Sequence, residues 1–177
     1  MEKRMKKALE DLGTDFGTLR TGRATPALLD KIIVDYYGAP TPLKTLSTIS
    51  APDARQLLVA PYDKAAAGQI ASAISKSDLG VGASVDGHNV RVSVPNLTEE
   101  RRKEMVKLAG KQAEAHKVAV RNIRRDANDE FKKMEKEGEI SKDEMKGYEG
   151  DVQKVTDRYV KEIDEVRDAK EAEIMEV

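Results

Sequence analysis

Residues 95–137 read PNLTEERRKEMVKLAGKQAEAHKVAVRNIRRDANDEFKKMEKE, and their pattern decides the fold. They predict one unbroken helix of about 40 residues, roughly 60 Å long at 1.5 Å per residue. Pro95 closes the preceding segment, and Thr98 can cap the first free N–H groups. Glu99 and Glu100 occupy the first turn, where the helix dipole favours negative charge, and Gly138 ends the run. Met105, Ala109, Ala113, His116, Val120, Ile123, Ala127, Phe131 and Met134 recur every three or four residues and make one stripe apolar.

Two more segments carry the same signature. Ser141 and Glu144 form a capping box, and Met145, Tyr148, Val152, Val155, Tyr159, Ile163 and Val166 follow near heptad spacing. The short EGEIS connection turns this helix back antiparallel to its predecessor. The first 22 residues place Met5, Leu9, Leu12, Phe16 and Leu19 on one face, ending near Gly22. Three matched stripes predict a three-helix bundle; a two-stranded coiled coil would leave the first helix's apolar face uncovered.

Residues 24–97 break the helical period. Ile32–Tyr37 is β-branched and aromatic, with Tyr36 and Tyr37 read as strand and core residues, and Gly38, Pro40 and Pro42 follow. Leu46–Ser50 and Gln56–Ala60 read as strands around a turn at Pro52-Asp53, and Lys64–Ser77 as an Ala-rich helix. Asp86-Gly87 marks a turn before a last strand, Val90–Val94. The expected organisation is α+β: residues 1–23 and 98–177 form the bundle domain, and residues 24–97 an inserted α+β domain. Ala24-Thr25-Pro26 and Pro95-Asn96-Leu97 are the connections. Paired short connections suit a hinge, and a fixed interface is the alternative.

Composition limits the chemistry. With no cysteine in 177 residues, disulfides, thiol catalysis and Cys-ligated metal are excluded. No apolar run approaches membrane-spanning length and the amphipathic N-terminus lacks a leader's apolar core, so a soluble, cytoplasmic protein is expected. His88 and His116 stand in unrelated contexts, and His116 reads as structural. Gly80-Val81-Gly82 lacks the Lys-Ser or Lys-Thr and the helix start of a phosphate loop. No catalytic residues, cofactor or metal ligands are indicated, and an enzyme is unsupported.

The net charge of −1 hides an asymmetry. Residues 98–137 carry twelve Lys/Arg against nine Asp/Glu, a net +3, while residues 138–177 carry seven against thirteen, a net −6. On the long helix Lys117, Arg121, Arg124, Arg125 and Lys132 fall within an arc of about 100°, away from the apolar stripe. Such a ridge can follow a phosphate backbone. The alternative is a solvated face whose Arg stems lie over the core edge beside Asp126, Asp129 and Glu130.

Leu19–Ala24 (LRTGRA), Asp35–Gly38 (DYYG), Ser77–Gly80 (SDLG), Leu97–Lys103 (LTEERRK) and Val120–Arg125 (VRNIRR) stand in the order and spacing of the bacterial ribosome recycling factors, and the chain resembles that family from about residue 5 onward. It departs where Gly80-Val81-Gly82-Ala83-Ser84 stands in place of the usual Asn-Pro after Asp-Leu-Gly.

The resemblance implies an elongated antiparallel three-helix bundle with a small inserted α+β domain, in an L-shaped, hinged, two-domain arrangement. It implies a monomeric, non-enzymatic translation factor without a cofactor and without membrane attachment. Its partners would be the large ribosomal subunit, through rRNA, and elongation factor G, which hydrolyses GTP as the post-termination ribosome is split. By motif match, rRNA contact falls on Arg20, Arg23, Arg121, Arg124 and Arg125, with Lys117 and Lys132 on the same ridge. A coiled-coil scaffold using the acidic third helix, or a general RNA chaperone, are competing readings that leave Leu19–Ala24 unexplained.

Overall fold

The computed structural model describes residues 1–176. They divide into two compact units: Met1–Phe16 with Val106–Glu173, and Gly17–Met105 with the C-terminal residues from Ile174. The class is α+β, a long-helix bundle with a separate small domain.

The first unit is built from α1 (Glu2–Gly17), α4 (Glu99–Lys136) beyond its first turns, and α5 (Lys142–Met175). Cross-helix partners give their directions. Arg4 meets Asp126 at 3.1 Å and Asp15 meets His116 at 3.0 Å, so α1 and α4 are antiparallel. Arg124 meets Gln153 at 3.2 Å and Lys117 meets Asp164 at 2.9 Å, so α4 and α5 are antiparallel too. Arg158 pairs with Glu2, which closes the third side.

Met5, Leu12, Phe16, Val120, Ile123, Val152, Tyr159 and Ile163 are buried between the helices. Each fully buried large side chain of this kind contributes about 1.5–3 kcal/mol. Ala109 and Ala113 are also fully buried, and their small size lets the helices approach closely there. The α4–α5 reversal uses Gly138 at φ 76° and the expected capping box: Ser141 Oγ accepts from Glu144 N–H, and Glu144 Oε2 accepts from Ser141 N–H. The first helix stops at Gly17, short of the expected end near Gly22; Leu19 and Thr21 are buried and belong to the second unit.

The second unit holds a hairpin of β1 (Ile33–Tyr36) and β2 (Ala39–Pro42), a short helix α2 (Leu43–Leu46), and a four-stranded antiparallel sheet. The sheet comprises β3 (Ser47–Asp53), β4 (Gln56–Pro61), β5 (Gly82–Asp86) and β6 (Asn89–Ser93), in the order β3-β4-β6-β5. Helix α3 (Ala67–Ser75) presents Ile70 and Ile74 to a core that includes Leu29, Val34, Leu57, Val59, Val90 and Val92.

Three details differ from expectation. Pro52 lies within β3, an edge strand whose register shifts between Ser50 and Asp53, so the missing N–H breaks no interior ladder. The turn falls two residues later, where Asp53 Oδ1 accepts from Arg55 N–H at 2.8 Å. Strand β5 carries no alternating pattern because it is an edge with almost every side chain outside the core. Tyr37 is no core residue: it is 75% exposed at φ 51°, in the β1–β2 turn with Gly38 at φ 80°. Two successive positive φ values suit the tight hairpin turn and place a bulky ring where Asn or Gly is usual. Its ring stands edge-on to Tyr36 at 4.6 Å, and both hydroxyls donate to Asp63 Oδ2.

Candidate nucleic-acid interface

On the bundle unit, Arg121, Arg124, Arg125 and Lys132 line one concavity of about 500 Å³, as the ridge spacing predicts. Steps of three, four and seven along α4 put their side chains on one face. Val118, Asn122, Asn128 and Asp129 complete the α4 wall, and Gln153 comes from α5. Arg121, Arg125 and Lys132 are exposed, and Arg124 is half-buried.

Among the described residues, Arg124 and Arg125 are oriented by neutral acceptors rather than neutralised by carboxylates. Arg124 Nη1 donates to Gln153 Oε1 at 3.2 Å, and Arg125 Nη2 donates to Asn122 Oδ1. A guanidinium held this way keeps its charge and free donors for an incoming anion. Lys132 has Asp129 at 4.0 Å, an exposed pair of little strength. The concavity therefore offers clustered positive charge with fixed donors, which suits phosphates and no covalent chemistry.

Lys117 does not join this group. It is only 7% exposed, and its ammonium lies 2.9 Å from Asp164 and 2.5 Å from Glu114. Its hydrogen bonds to the Glu114 and then the Asp164 carboxylate raise its pKa. Angular position alone places Lys117 beside the arginines; burial under α5 turns it into a structural ion-pair residue.

Arg20 is also engaged inside the protein. Its Nη1 donates to the Leu79 and Gly80 carbonyls at 3.2 Å each, and its Nη2 to the Pro95 carbonyl at 2.6 Å. Partial burial, and then the nearby Arg101 charge, lower its pKa, though an arginine stays charged. Gly80 sits at φ 64°, a backbone conformation that favours glycine, and a Cβ there would lie 3.1 Å from Arg20 Nη1 and crowd it. Arg23, three residues on, is exposed.

The connecting residues are anchored on the small unit. Ala24 N–H donates to the Ala54 carbonyl, and Val94 N–H, just before the second connection, donates to the Arg55 carbonyl, both at 2.8 Å at the β3–β4 turn. Thr25 precedes a 3₁₀ turn, Pro26–Leu29, with Pro26 at its start; Leu97 is buried, while Asn96 is exposed.

The neutral residues of the concavity, Asn122, Asn128 and Gln153, do not stand out in the sequence as site residues. Asn128 falls within the arc of the ridge, and Asn122 lies beside it, three residues before Arg125. Gln153 lies on another helix, and only the α4–α5 register shows it.

Among the described residues, no cluster of His, Asp or Glu could hold a metal, and no helix is long and apolar enough to cross a membrane.

Comparison with known proteins agrees with the sequence resemblance. The family model described as "Ribosome recycling factor" matches residues 12–175. The chain is 55% identical over 176 residues to the ribosome-recycling factor of Bacillus licheniformis, covering 99% of this chain and 95% of that protein. Against the Bacillus subtilis factor the identity is 54% with the same coverage. A solution structure of the ribosome recycling factor superposes with a TM-score of 0.75 at 43% identity, covering 99% of this chain and 94% of that one. A second similar structure, with a TM-score of 0.66 at 45% identity, covers 98% of this chain and 94% of that one. It is described as models for the T. thermophilus factor and E. coli elongation factor G bound to the E. coli post-termination complex. The sequence motifs, the long-helix bundle with its small α+β unit and these relatives together show that the chain belongs to the ribosome recycling factor family.

Proposed function

We propose that this chain is a non-enzymatic translation factor that binds the large ribosomal subunit after termination. With elongation factor G and GTP it splits the post-termination ribosome, so that subunits, mRNA and tRNA can be reused. GTP hydrolysis belongs to the partner. Acting on ribosomes assigns the protein to the cytoplasm, and it works as a monomer.

The observation that carries the site assignment is the concavity shared by Arg121, Arg124, Arg125 and Lys132 on a chain of this family. Arrayed arginines without carboxylate partners among the described residues bind phosphate through screened charge, so the attachment weakens with salt and can be released. Double-stranded rRNA is met largely through phosphates and 2′-hydroxyls, which explains why the ridge contains no aromatic residue. Exposed Arg23 makes an rRNA contact of its own by motif match, and Arg20 supports it by fixing the chain from which Arg23 projects. Lys117 holds the bundle together. The domain reading stays with residues 1–23 and 98–177 as the RNA-binding bundle and 24–97 as the inserted domain. Its hinge lies at 24–26 and 95–97; the proline at each of the two short connections supports that reading.

The test is co-sedimentation with large subunits across a salt series, followed by subunit splitting with elongation factor G and GTP. Binding that weakens steeply with salt, together with factor-dependent splitting, is expected. Absence of both would overturn the reading and favour a protein-binding scaffold.

A further inference from the structure

We infer that Asn128 reads the ribose 2′-hydroxyl of the bound strand, so that the arginine concavity selects RNA over DNA. The inference rests on the rRNA-binding reading and deepens it.

Three buried side-chain atoms lack a hydrogen-bond partner among the described residues: Arg20 Nε, Gln112 Oε1 and Asn128 Oδ1. Only Asn128 lines the concavity. It stands in the middle of the basic row, seven residues beyond Arg121 and four before Lys132, and shares their face. Leaving a buried carbonyl unsatisfied is unfavourable for folding, so a residue of this kind points to a partner supplied from outside.

The chemistry of that partner follows from the lining. Arg121, Arg124, Arg125 and Lys132 offer donors only. The other neutral acceptors are occupied: Asn122 Oδ1 by Arg125, and Gln153 Oε1 by Arg124. Asn128 is the neutral acceptor left without a donor among the described residues, and the broad, two-fold χ2 torsion of an asparagine lets its amide turn toward the concavity when a ligand arrives. A phosphate has no proton to give at neutral pH, whereas the sugar beside it in RNA carries a hydroxyl that both donates and accepts. With the arginines on consecutive phosphates, the group between them is the ribose. DNA offers no hydroxyl there and would leave the amide unsatisfied.

The test compares Asn128→Leu, which keeps the side-chain shape without polar atoms, with wild type and with the Arg121→Ala/Arg124→Ala/Arg125→Ala variant. Large-subunit co-sedimentation should show affinity about tenfold weaker for Asn128→Leu, the loss of one good hydrogen bond. Its Tm should stay level or rise, because an orphaned buried carbonyl has been removed. A purely structural asparagine would lose stability and binding together.

At low salt, wild type should also bind an RNA hairpin several-fold tighter than its 2′-deoxy counterpart by fluorescence anisotropy, and Asn128→Leu should erase that preference. Unchanged subunit binding by Asn128→Leu, with loss in the arginine variant, would overturn the inference and leave the rRNA reading standing. Unchanged binding by both would overturn the rRNA reading as well. Equal wild-type affinity for the two hairpins would overturn the ribose assignment. If Asn128→Leu loses its helical signal, Asn128→Ala decides, and unfolding of both would make the residue structural.

Discussion

The guanidinium of Arg20 and the carbonyl oxygen of Pro95 meet at 2.6 Å, although 75 residues separate them in the chain. The contact ties the segment entering the inserted domain to the segment leaving it. The same side chain holds the Leu79 and Gly80 carbonyls, so one cation satisfies three backbone acceptors.

Replacing Arg20 by alanine should therefore destabilise the protein by about 2 kcal/mol, since three charge-assisted hydrogen bonds disappear at a partly exposed site. Arg20→Lys should recover little, because an ammonium cannot span the three carbonyls as a planar fork does. Urea unfolding monitored by circular dichroism measures both. A loss below about 0.5 kcal/mol would show that the three carbonyls are satisfied equally well by water.

The Arg121→Ala/Arg124→Ala/Arg125→Ala variant should keep its helical signal and bind large subunits at least about tenfold more weakly. The slope of log K against log salt should fall by up to about three, one for each phosphate that an arginine no longer neutralises. An unchanged slope would place the polyanion elsewhere on the chain.

Lys117→Met should behave in the opposite way. Removing the ammonium from Asp164 and Glu114 takes about 1–3 kcal/mol from bundle stability. The effect is moderated because Arg167 lies 3.1 Å from Asp164 and remains as its partner. The salt dependence of subunit binding should match wild type. The raised pKa of Lys117 means that its contribution is complete below the unfolded value, about 10.4, and fades only as alkaline pH passes through the folded value. Thermal melts at neutral pH together with the binding salt series check both halves; a reduced slope would return Lys117 to the RNA surface.

At the α4–α5 reversal, the Ser141 backbone N–H, followed by its hydroxyl, holds the Glu144 carboxylate below its usual range. A depressed carboxylate stabilises the fold above its unfolded pKa, about 4.3, and that contribution disappears as pH falls through the folded value. Glu144→Gln should flatten this acid limb of the Tm–pH curve, and Ser141→Ala should cost about 1 kcal/mol at neutral pH. Parallel acid limbs for wild type and Glu144→Gln would remove the carboxylate from the capping account.

Local features of the sequence carried most of the architecture. The apolar stripe through Ala109, Ala113, Val120, Ile123 and Ala127, the Ser141–Glu144 box and the stop at Gly138 depend on neighbours within one or two turns, so their spacing alone determines the two long helices. The same short-range period put Arg121, Arg124, Arg125 and Lys132 on one face, and family resemblance supplied the reason for that face. Tertiary structure alone decided which cations stay available. Lys117 finds Asp164 across 47 residues and Arg20 finds Pro95 across 75, while Gln153 reaches the arginine row from another helix. It also decided that Tyr37 stands in solvent at a positive φ and that Asn128 keeps a buried oxygen without a partner. The physical reason is the range of the interactions: helical period and capping act between residues a few positions apart, whereas burial and hydrogen-bond partnership are settled only when the chain returns to itself.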